Sequence, residues 1–112
     1  MIVVGYRCGF GKGESQNPPK GSYGFIVSID DRSKYFKREW RAIILTLDGE
    51  EQPFKVNLNK DSFWTGNCRE LIHKNIKKWF LKNNIAPWES GDPPRCRLEK
   101  IDNNKFKASL YK

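Results

Sequence analysis

The sequence predicts an α+β fold, in which a strongly curved antiparallel sheet or half-open β-barrel of about six strands carries one amphipathic helix at about residues 68–82. Short segments in which apolar and polar residues alternate occupy much of the chain. A single segment places its apolar residues at helical spacing. Strands and helices do not alternate, which disfavours a parallel α/β sheet. At 112 residues, the range 1–112 is predicted to form a single domain.

The first third of the chain predicts two strands and a long loop. Ile2–Arg7 is the first strand, and Phe25–Ile29 is the second because it is rich in β-branched and aromatic residues. Residues 8–24 between them contain five glycines and two adjacent prolines, which is typical of a mobile loop. Lys12 is followed by glycine, not by the Ser or Thr that a phosphate-binding P-loop requires, so a flexible hairpin loop is favoured.

The middle of the chain predicts a hairpin. Trp40–Leu47 has apolar residues on both faces, which predicts a strand in the centre of the sheet. Asp48-Gly49 is a strong turn signal, and Gln52–Asn59 returns as the fourth strand with clean alternation. Pro53 has no N–H, so the start of this strand is predicted to be unpaired or at a sheet edge.

Hydrophobic spacing predicts the helix. Asn67, followed three residues later by Glu70, fits an N-cap with its reciprocal partner. One half of the helical wheel then collects the apolar residues Cys68, Leu71, Ile72, Ile76, Trp79 and Phe80. The opposite half carries a lysine stripe, which is most simply a solvated face.

The last part of the chain predicts a stiff loop and a second hairpin. Residues 85–94 contain three prolines and a glycine around Trp88. Arg95–Ile101 and Lys105–Tyr111 follow as strands joined by a turn at 102–104. Alternation gives this hairpin a basic outward face of Arg95, Arg97, Lys105 and Lys107. A single aromatic core under the helix is predicted from Trp64, Trp79, Trp88 and Phe106.

Charge is distributed unevenly along the chain. The net charge is +8, and residues 67–112 carry 11 Lys or Arg against 5 Asp or Glu. Residues 1–66 carry 10 against 8. A positive field of this kind raises the local concentration of polyanions and speeds their capture, so it predicts a polyanionic partner.

A second basic segment lies between the second and third strands. Residues 32–38 form a basic connector in which two aromatic residues stand among cations. Cations bind phosphates and aromatic rings stack on bases. An edge loop protected by charge, with its aromatic residues in the core, is supported equally. The complete predicted nucleic-acid-binding set is Lys34, Tyr35, Phe36, Lys37, Arg38, Arg41, Arg95, Arg97, Lys105 and Lys107.

The sequence predicts no catalytic residue, no metal site and no cofactor. His73 is the only histidine, the three cysteines lie far apart, and no Cys-x-x-Cys occurs, whereas structural zinc takes four clustered ligands. No base–nucleophile pair with an orienting group can be drawn. The carboxylate pairs Asp30-Asp31 and Glu50-Glu51 fall at predicted turns.

The composition predicts a cytoplasmic protein with no membrane partner. No apolar run is long enough for a signal peptide or a transmembrane helix. The cysteine count is odd and the spacing is wide, which favours a reducing compartment.

A pattern in residues 54–112 resembles a known group of domains. It consists of Phe63-Trp64, Cys68-Arg69-Glu70-Leu71, Ile76, Trp79, Pro87-Trp88, Gly91, Pro93-Pro94 and Phe106. It resembles small bacterial and mobile-element domains, including the B3-like pseudobarrel DNA-binding domains of some restriction enzymes. Those domains have seven strands and two short helices, more than the sequence predicts here. The resemblance implies a DNA-reading barrel and assigns no site residue.

The predicted function is a non-enzymatic nucleic-acid-binding module, with DNA as the expected ligand. Two alternatives stay open. The curved sheet would also suit a protein partner, or a homodimer formed through an exposed sheet edge. A half-open barrel lined by aromatic residues and covered by the glycine loop would suit a small ligand.

Overall fold

The computed structural model describes residues 1–8, 21–58, 63–64, 69–86, 88 and 91–111. Within them the chain forms seven strands and two helices. The strands are β1 Ile2–Cys8, β2 Ser22–Ile26, β3 Ala42–Leu47, β4 Phe54–Asn57, β5 Glu70–Ile72, β6 Arg95–Asp102 and β7 Lys105–Leu110. The helices are α1 Ile29–Tyr35 and α2 Lys74–Lys82. Neither helix is long and apolar enough to cross a membrane.

The strands form one sheet in the order β4-β3-β7-β6-β1-β2-β5. Neighbours are antiparallel except β3 and β7, which run parallel with Leu45 opposite Phe106. The two edge strands approach each other, and the ring of Phe54 at the start of β4 lies 4.3 Å from that of His73 just after β5. The curved α+β sheet is therefore confirmed as a nearly closed barrel. The expectation of a purely antiparallel sheet is wrong for one pair, because β7 lies beside β3, a strand from much earlier in the chain, and runs in the same direction.

Packed side chains fill the interior of the barrel. Alternate residues of β3, β6 and β7 point inward, which agrees with the predicted alternation. Among the described residues no polar or charged residue is buried. Since a ligand pocket needs polar groups to orient its occupant, the described interior gives the small-ligand alternative no such group. Residues 9–20 of the predicted glycine loop lie outside the described residues.

The helix begins later than predicted. Its buried residues Ile76, Trp79 and Phe80 confirm the predicted apolar face. However, the predicted start is wrong, because Glu70–Ile72 forms strand β5 and pairs with β2. The N-cap is His73, whose Nδ1 accepts the backbone N–H of Asn75 at 3.0 Å. Asn67 and Cys68 lie outside the described residues.

Close approach of two backbones explains why β5 is a strand. Gly24 of β2 lies opposite Ile72, and a Cβ at Gly24 would collide with the carbonyl oxygen of Leu71. Glycine therefore lets β5 come close enough to bond to the outer edge of β2. These long-range hydrogen bonds override the local capping pattern that predicted a helix there.

Helix α1 was not predicted. It occupies much of the basic connector, where the sequence predicted no helix. The Ser28 side chain accepts the backbone N–H of Asp31 at 3.1 Å, and Asp30 and Asp31 lie in the first turn, where carboxylates complement the helix dipole. The predicted turn at this acidic pair is therefore wrong. None of the helix's own residues is buried, so no apolar periodicity marked it in the sequence.

The remaining strand predictions differ from the structure by a few residues. Strand β2 spans Ser22–Ile26 instead of Phe25–Ile29, so part of the predicted loop is ordered sheet. Strands β3, β4, β6 and β7 lie within their predicted segments to within two residues. Strand β4 is at a sheet edge, as Pro53 predicted.

The aromatic residues form two groups of ring contacts instead of the single group predicted. The α2 cluster consists of Tyr23, Phe25, Trp79, Phe80 and Trp88. The α1 cluster consists of Phe36, Trp40, Phe63, Trp64 and Phe106. Both belong to the same hydrophobic core.

Candidate nucleic-acid interface

The β6–β7 hairpin places its four predicted cations on one face. Arg97 lies opposite Ser109, and Glu99 lies opposite Lys107. Directly opposed residues of an antiparallel pair face the same side, and alternate residues along each strand return to it. The four cations are exposed. We call this set the hairpin row: Lys105, Lys107, Arg97 and Arg95.

The hairpin row is a line and not a cluster. Lys105 begins it at the turn, and Lys107 follows two residues along β7. Arg97 and then Arg95 continue the line on β6, each two residues further in the same direction. Each step is about 7 Å along the strand and the whole row about 20 Å, at about 3.4 Å per residue. The prediction that these residues share an outward face is confirmed in the geometry.

Two carboxylates lie beside the middle of the row. The Nζ of Lys107 is 3.7 Å from Oδ1 of Asp48, in an exposed ion pair. Glu99 is the cross-strand neighbour of Lys107 on the same face. Exposed pairs of this kind are weak, at about 0–1 kcal/mol, but they lower the positive potential around Lys107. Arg97 is placed differently, with its guanidinium carbon 5.7 Å from the centre of the Tyr111 ring.

Arg41, just after the basic connector, lies near the turn end of the row. The amide N–H of Ile44 donates to the carbonyl of Asn104 at 2.9 Å, and Nδ2 of Asn104 donates to the carbonyl of Ala42 at 3.0 Å. These bonds fix the start of β3, and with it Arg41, against the β6–β7 turn that precedes Lys105. Lys34, Lys37 and Arg38 of the basic connector are exposed, and so is Arg41.

The two connector aromatics occupy different environments. Phe36 is only 5% exposed, and its ring stacks on Phe106 at 5.0 Å. It has no open face on which a base could stack, so the prediction that Phe36 contacts a base is wrong and its core interpretation holds. Tyr35 is half-buried, and the Nζ of Lys34 lies 5.4 Å from its ring centre.

Sequence reasoning did not include Lys55 in the interface. This exposed residue of β4 lies opposite Ile44 of β3, which in turn lies opposite Lys105 of β7. Lys55 is therefore on the same outer face, two strands away from the row. Alternation along β4 places Lys55 outward, but its distance from the hairpin depends on the strand order, which no local pattern reveals.

Cys96 and His73 occupy structural positions in the described part of the chain. Cys96 is fully buried in the core, and burial raises the pKa of its thiol to about 12, so the thiol stays protonated at neutral pH. His73 caps α2, and burial, with a smaller contribution from Lys74, lowers the pKa of its imidazole. Among the described residues no three His, Cys, Asp or Glu side chains are grouped as metal ligands.

Comparisons of the chain with protein-family models, with curated proteins and with solved structures find no match in any of the three. The functional argument therefore depends on the geometry and charge of this chain's own residues.

Proposed function

We propose that the protein is a non-enzymatic nucleic-acid-binding module that holds DNA by its phosphate backbone on the outer face of the β6–β7 hairpin. The hairpin row carries this proposal, because four exposed cations stand on one face of two adjacent strands. They also belong to the part of the chain with the larger positive charge. Cations that neutralise phosphates release condensed counterions, and this release drives sequence-independent binding.

Other features support the same ligand with less weight. Arg41 adds an exposed cation near the turn end of the row, and Lys34 and Lys37 of the basic connector are exposed as well. The resemblance to B3-like DNA-binding domains stays a prediction that agrees with a DNA ligand. The odd cysteine count favours a cytoplasmic location, where nucleic acid is accessible.

A homodimer formed through a sheet edge receives less support. The edge strands β4 and β5 have only four and three residues. They face each other across the seam of the barrel, where Phe54 and His73 are in contact. Short edges of this kind offer few free backbone groups to a second copy of the chain.

The test is a binding titration with labelled duplex and single-stranded DNA over a series of salt concentrations. We expect the logarithm of the binding constant to fall linearly with the logarithm of salt concentration, with a slope of about −3 to −4 for four phosphates. Arg95→Glu with Arg97→Glu should abolish most of this binding. The matched control, Lys74→Glu with Lys78→Glu on α2, makes the same change in net charge at exposed lysines that do not belong to the row.

Two results would overturn the proposal. Absence of binding by the unchanged protein at low salt would show that its charge serves only solubility, and the protein-partner alternative would then lead. Equal losses in the row variant and the α2 variant would show that net charge, and not the hairpin face, governs binding.

A further inference from the structure

We infer that the bound nucleic acid runs along the β6–β7 hairpin, with successive phosphates of one strand lying on Lys105, Lys107, Arg97 and Arg95. This inference rests on the proposed function and adds to it the direction in which the ligand crosses the sheet. It also predicts that the four cations contribute unequally.

The spacing of the row is the first argument. The cations follow one another at about 7 Å along the hairpin. This step is close to the separation of successive phosphates along one nucleic-acid strand, and long Lys and Arg side chains can adjust to the remaining difference. A strand laid along the hairpin can therefore bring one phosphate to each cation.

The strands on both sides of the hairpin give the second argument. On β1, the residues opposite Arg97 and Arg95 are Ile2 and Val4. On β3, the residues opposite Lys105 and Lys107 are Ile44 and Thr46. A nucleic-acid strand that crossed the sheet would pass the cations after one β-strand spacing, which is about 4.8 Å, and would then meet these uncharged side chains. Charge complementarity therefore favours the path along the hairpin.

Carboxylates beside the row predict how its members differ. Asp48 and Glu99 lie beside Lys107, and Asp102 lies opposite Lys105, so both lysines should contribute less than the two arginines, and Lys107 should contribute least. Lys55 lies on the same face but beyond Ile44, at the level of Lys105. It would contact the ligand only if the ligand crossed the sheet, which makes Lys55 the matched control for direction.

The experiment measures the affinity and salt dependence of single glutamine variants with a labelled homothymidine oligonucleotide. Arg95→Gln and Arg97→Gln should each weaken binding by about fivefold to tenfold near 0.1 M salt, and each should reduce the salt slope by about 0.7. Lys105→Gln should have a smaller effect, because Asp102 lies opposite it, and Lys107→Gln should have the smallest. Lys55→Gln should bind like the unchanged protein, and Glu99→Gln should bind more tightly because it removes a charge that repels phosphate.

The outcomes separate the path from the proposed function. If the unchanged protein binds, but Lys55→Gln weakens binding as much as Lys105→Gln while Arg95→Gln has no effect, the path along the hairpin is overturned and the proposed function stands. If the unchanged protein binds no oligonucleotide, both fail. All the substituted positions are exposed, and unchanged thermal unfolding midpoints will show that the variants are folded.

Discussion

The two aromatic clusters are built in different ways, although a helix lies beside each. Helix α2 supplies its own rings, because Trp79 and Phe80 project from its buried face into the α2 cluster. Helix α1 has no buried residue, and Phe36, which follows it directly, enters the α1 cluster instead. The comparison teaches that α2 stabilises the core through its own buried side chains. Helix α1 instead positions the residue that follows it, Phe36, in the core.

Side-chain bonds to backbone carbonyls reinforce both clusters. At the α2 cluster, Nε1 of Trp79 donates to the carbonyl of Asp48 at 2.9 Å. At the α1 cluster, an Arg32 guanidinium nitrogen donates to the carbonyl of Phe63 at 2.7 Å. The first bond comes from a core ring itself, and the second from the half-exposed surface of α1. The α1 cluster also has a ring donor, because Nε1 of Trp64 donates to the carbonyl of Leu58 at 3.1 Å. Loss of Trp79 should therefore remove more than packing, whereas loss of Phe36 should remove packing alone.

The largest effect is expected for Trp79→Ala. This change removes a fully buried ring and its hydrogen bond, so the free energy of unfolding should fall by about 3–5 kcal/mol, towards the upper end. Urea unfolding followed by circular dichroism measures it. Trp79→Phe is the control, because it keeps most of the packing and loses the bond. If the alanine variant is no less stable than the phenylalanine variant, the α2 cluster is not built on this ring.

Phe36→Ala should cost slightly less. The ring is packed in the α1 cluster but makes no hydrogen bond, so we expect a loss of about 3–4 kcal/mol within the range for buried aromatic residues. The neighbouring half-buried Tyr35, changed to alanine, is the control and should lose less. If Phe36→Ala leaves stability unchanged but weakens DNA binding, Phe36 belongs to the interface, and its burial in the core is contradicted.

Gly24→Ala tests the pairing of β2 with β5 beside the α2 cluster. The new methyl group would meet the Leu71 backbone, so β5 must move away from β2, and we expect a loss of about 1–3 kcal/mol. Hydrogen exchange should show faster exchange at Phe25 and Leu71, whose strands pair there. Gly49→Ala is the control at a turn where a Cβ meets nothing, and its cost should come from its positive φ of 87° alone. If exchange at the β2–β5 pair stays slow, the close approach is wrong.

The contrast between the helices also shows what local sequence can predict. The apolar face of α2 was predictable because Ile76, Trp79 and Phe80 recur at helical spacing. Helix α1 has no buried face, so its Ser28 cap and acidic first turn were its only signals, and the acidic pair was interpreted as a turn. Strand β5 was misassigned because its pairing with β2 is a long-range contact that does not appear in a local pattern.

The candidate interface follows the same rule. Alternation along β6 and β7 predicted that Arg95, Arg97, Lys105 and Lys107 share an outward face, because the two strands are joined by a short turn. The place of Lys55 could not be predicted, since it depends on the parallel pairing of β3 with β7. The sequence left the burial of Phe36 as one of two equally supported alternatives, because the ring that receives it, Phe106, lies far along the chain.

The smallest expected effect is a pH dependence that only the cap of α2 should show. His73 accepts the N–H of Asn75 through Nδ1, so protonation of that nitrogen removes the acceptor and places a positive charge beside Lys74. Burial first, and Lys74 second, lower the pKa of His73 in the folded protein below its usual 6.5. The stabilisation is therefore complete above about pH 6.5 and is lost as the pH falls through the folded-state pKa.

His73→Asn separates this cap from the other groups that titrate at low pH. Asparagine caps helices without titrating, so the variant should match the unchanged protein to within about 1 kcal/mol at pH 8 and gain relative to it towards pH 5. Ser28→Asn at the α1 cap is the parallel control, because neither residue titrates and its difference should stay constant with pH. A constant difference for His73→Asn as well would show that the imidazole is not the acceptor at Asn75, and the two helix starts would then depend on pH alike.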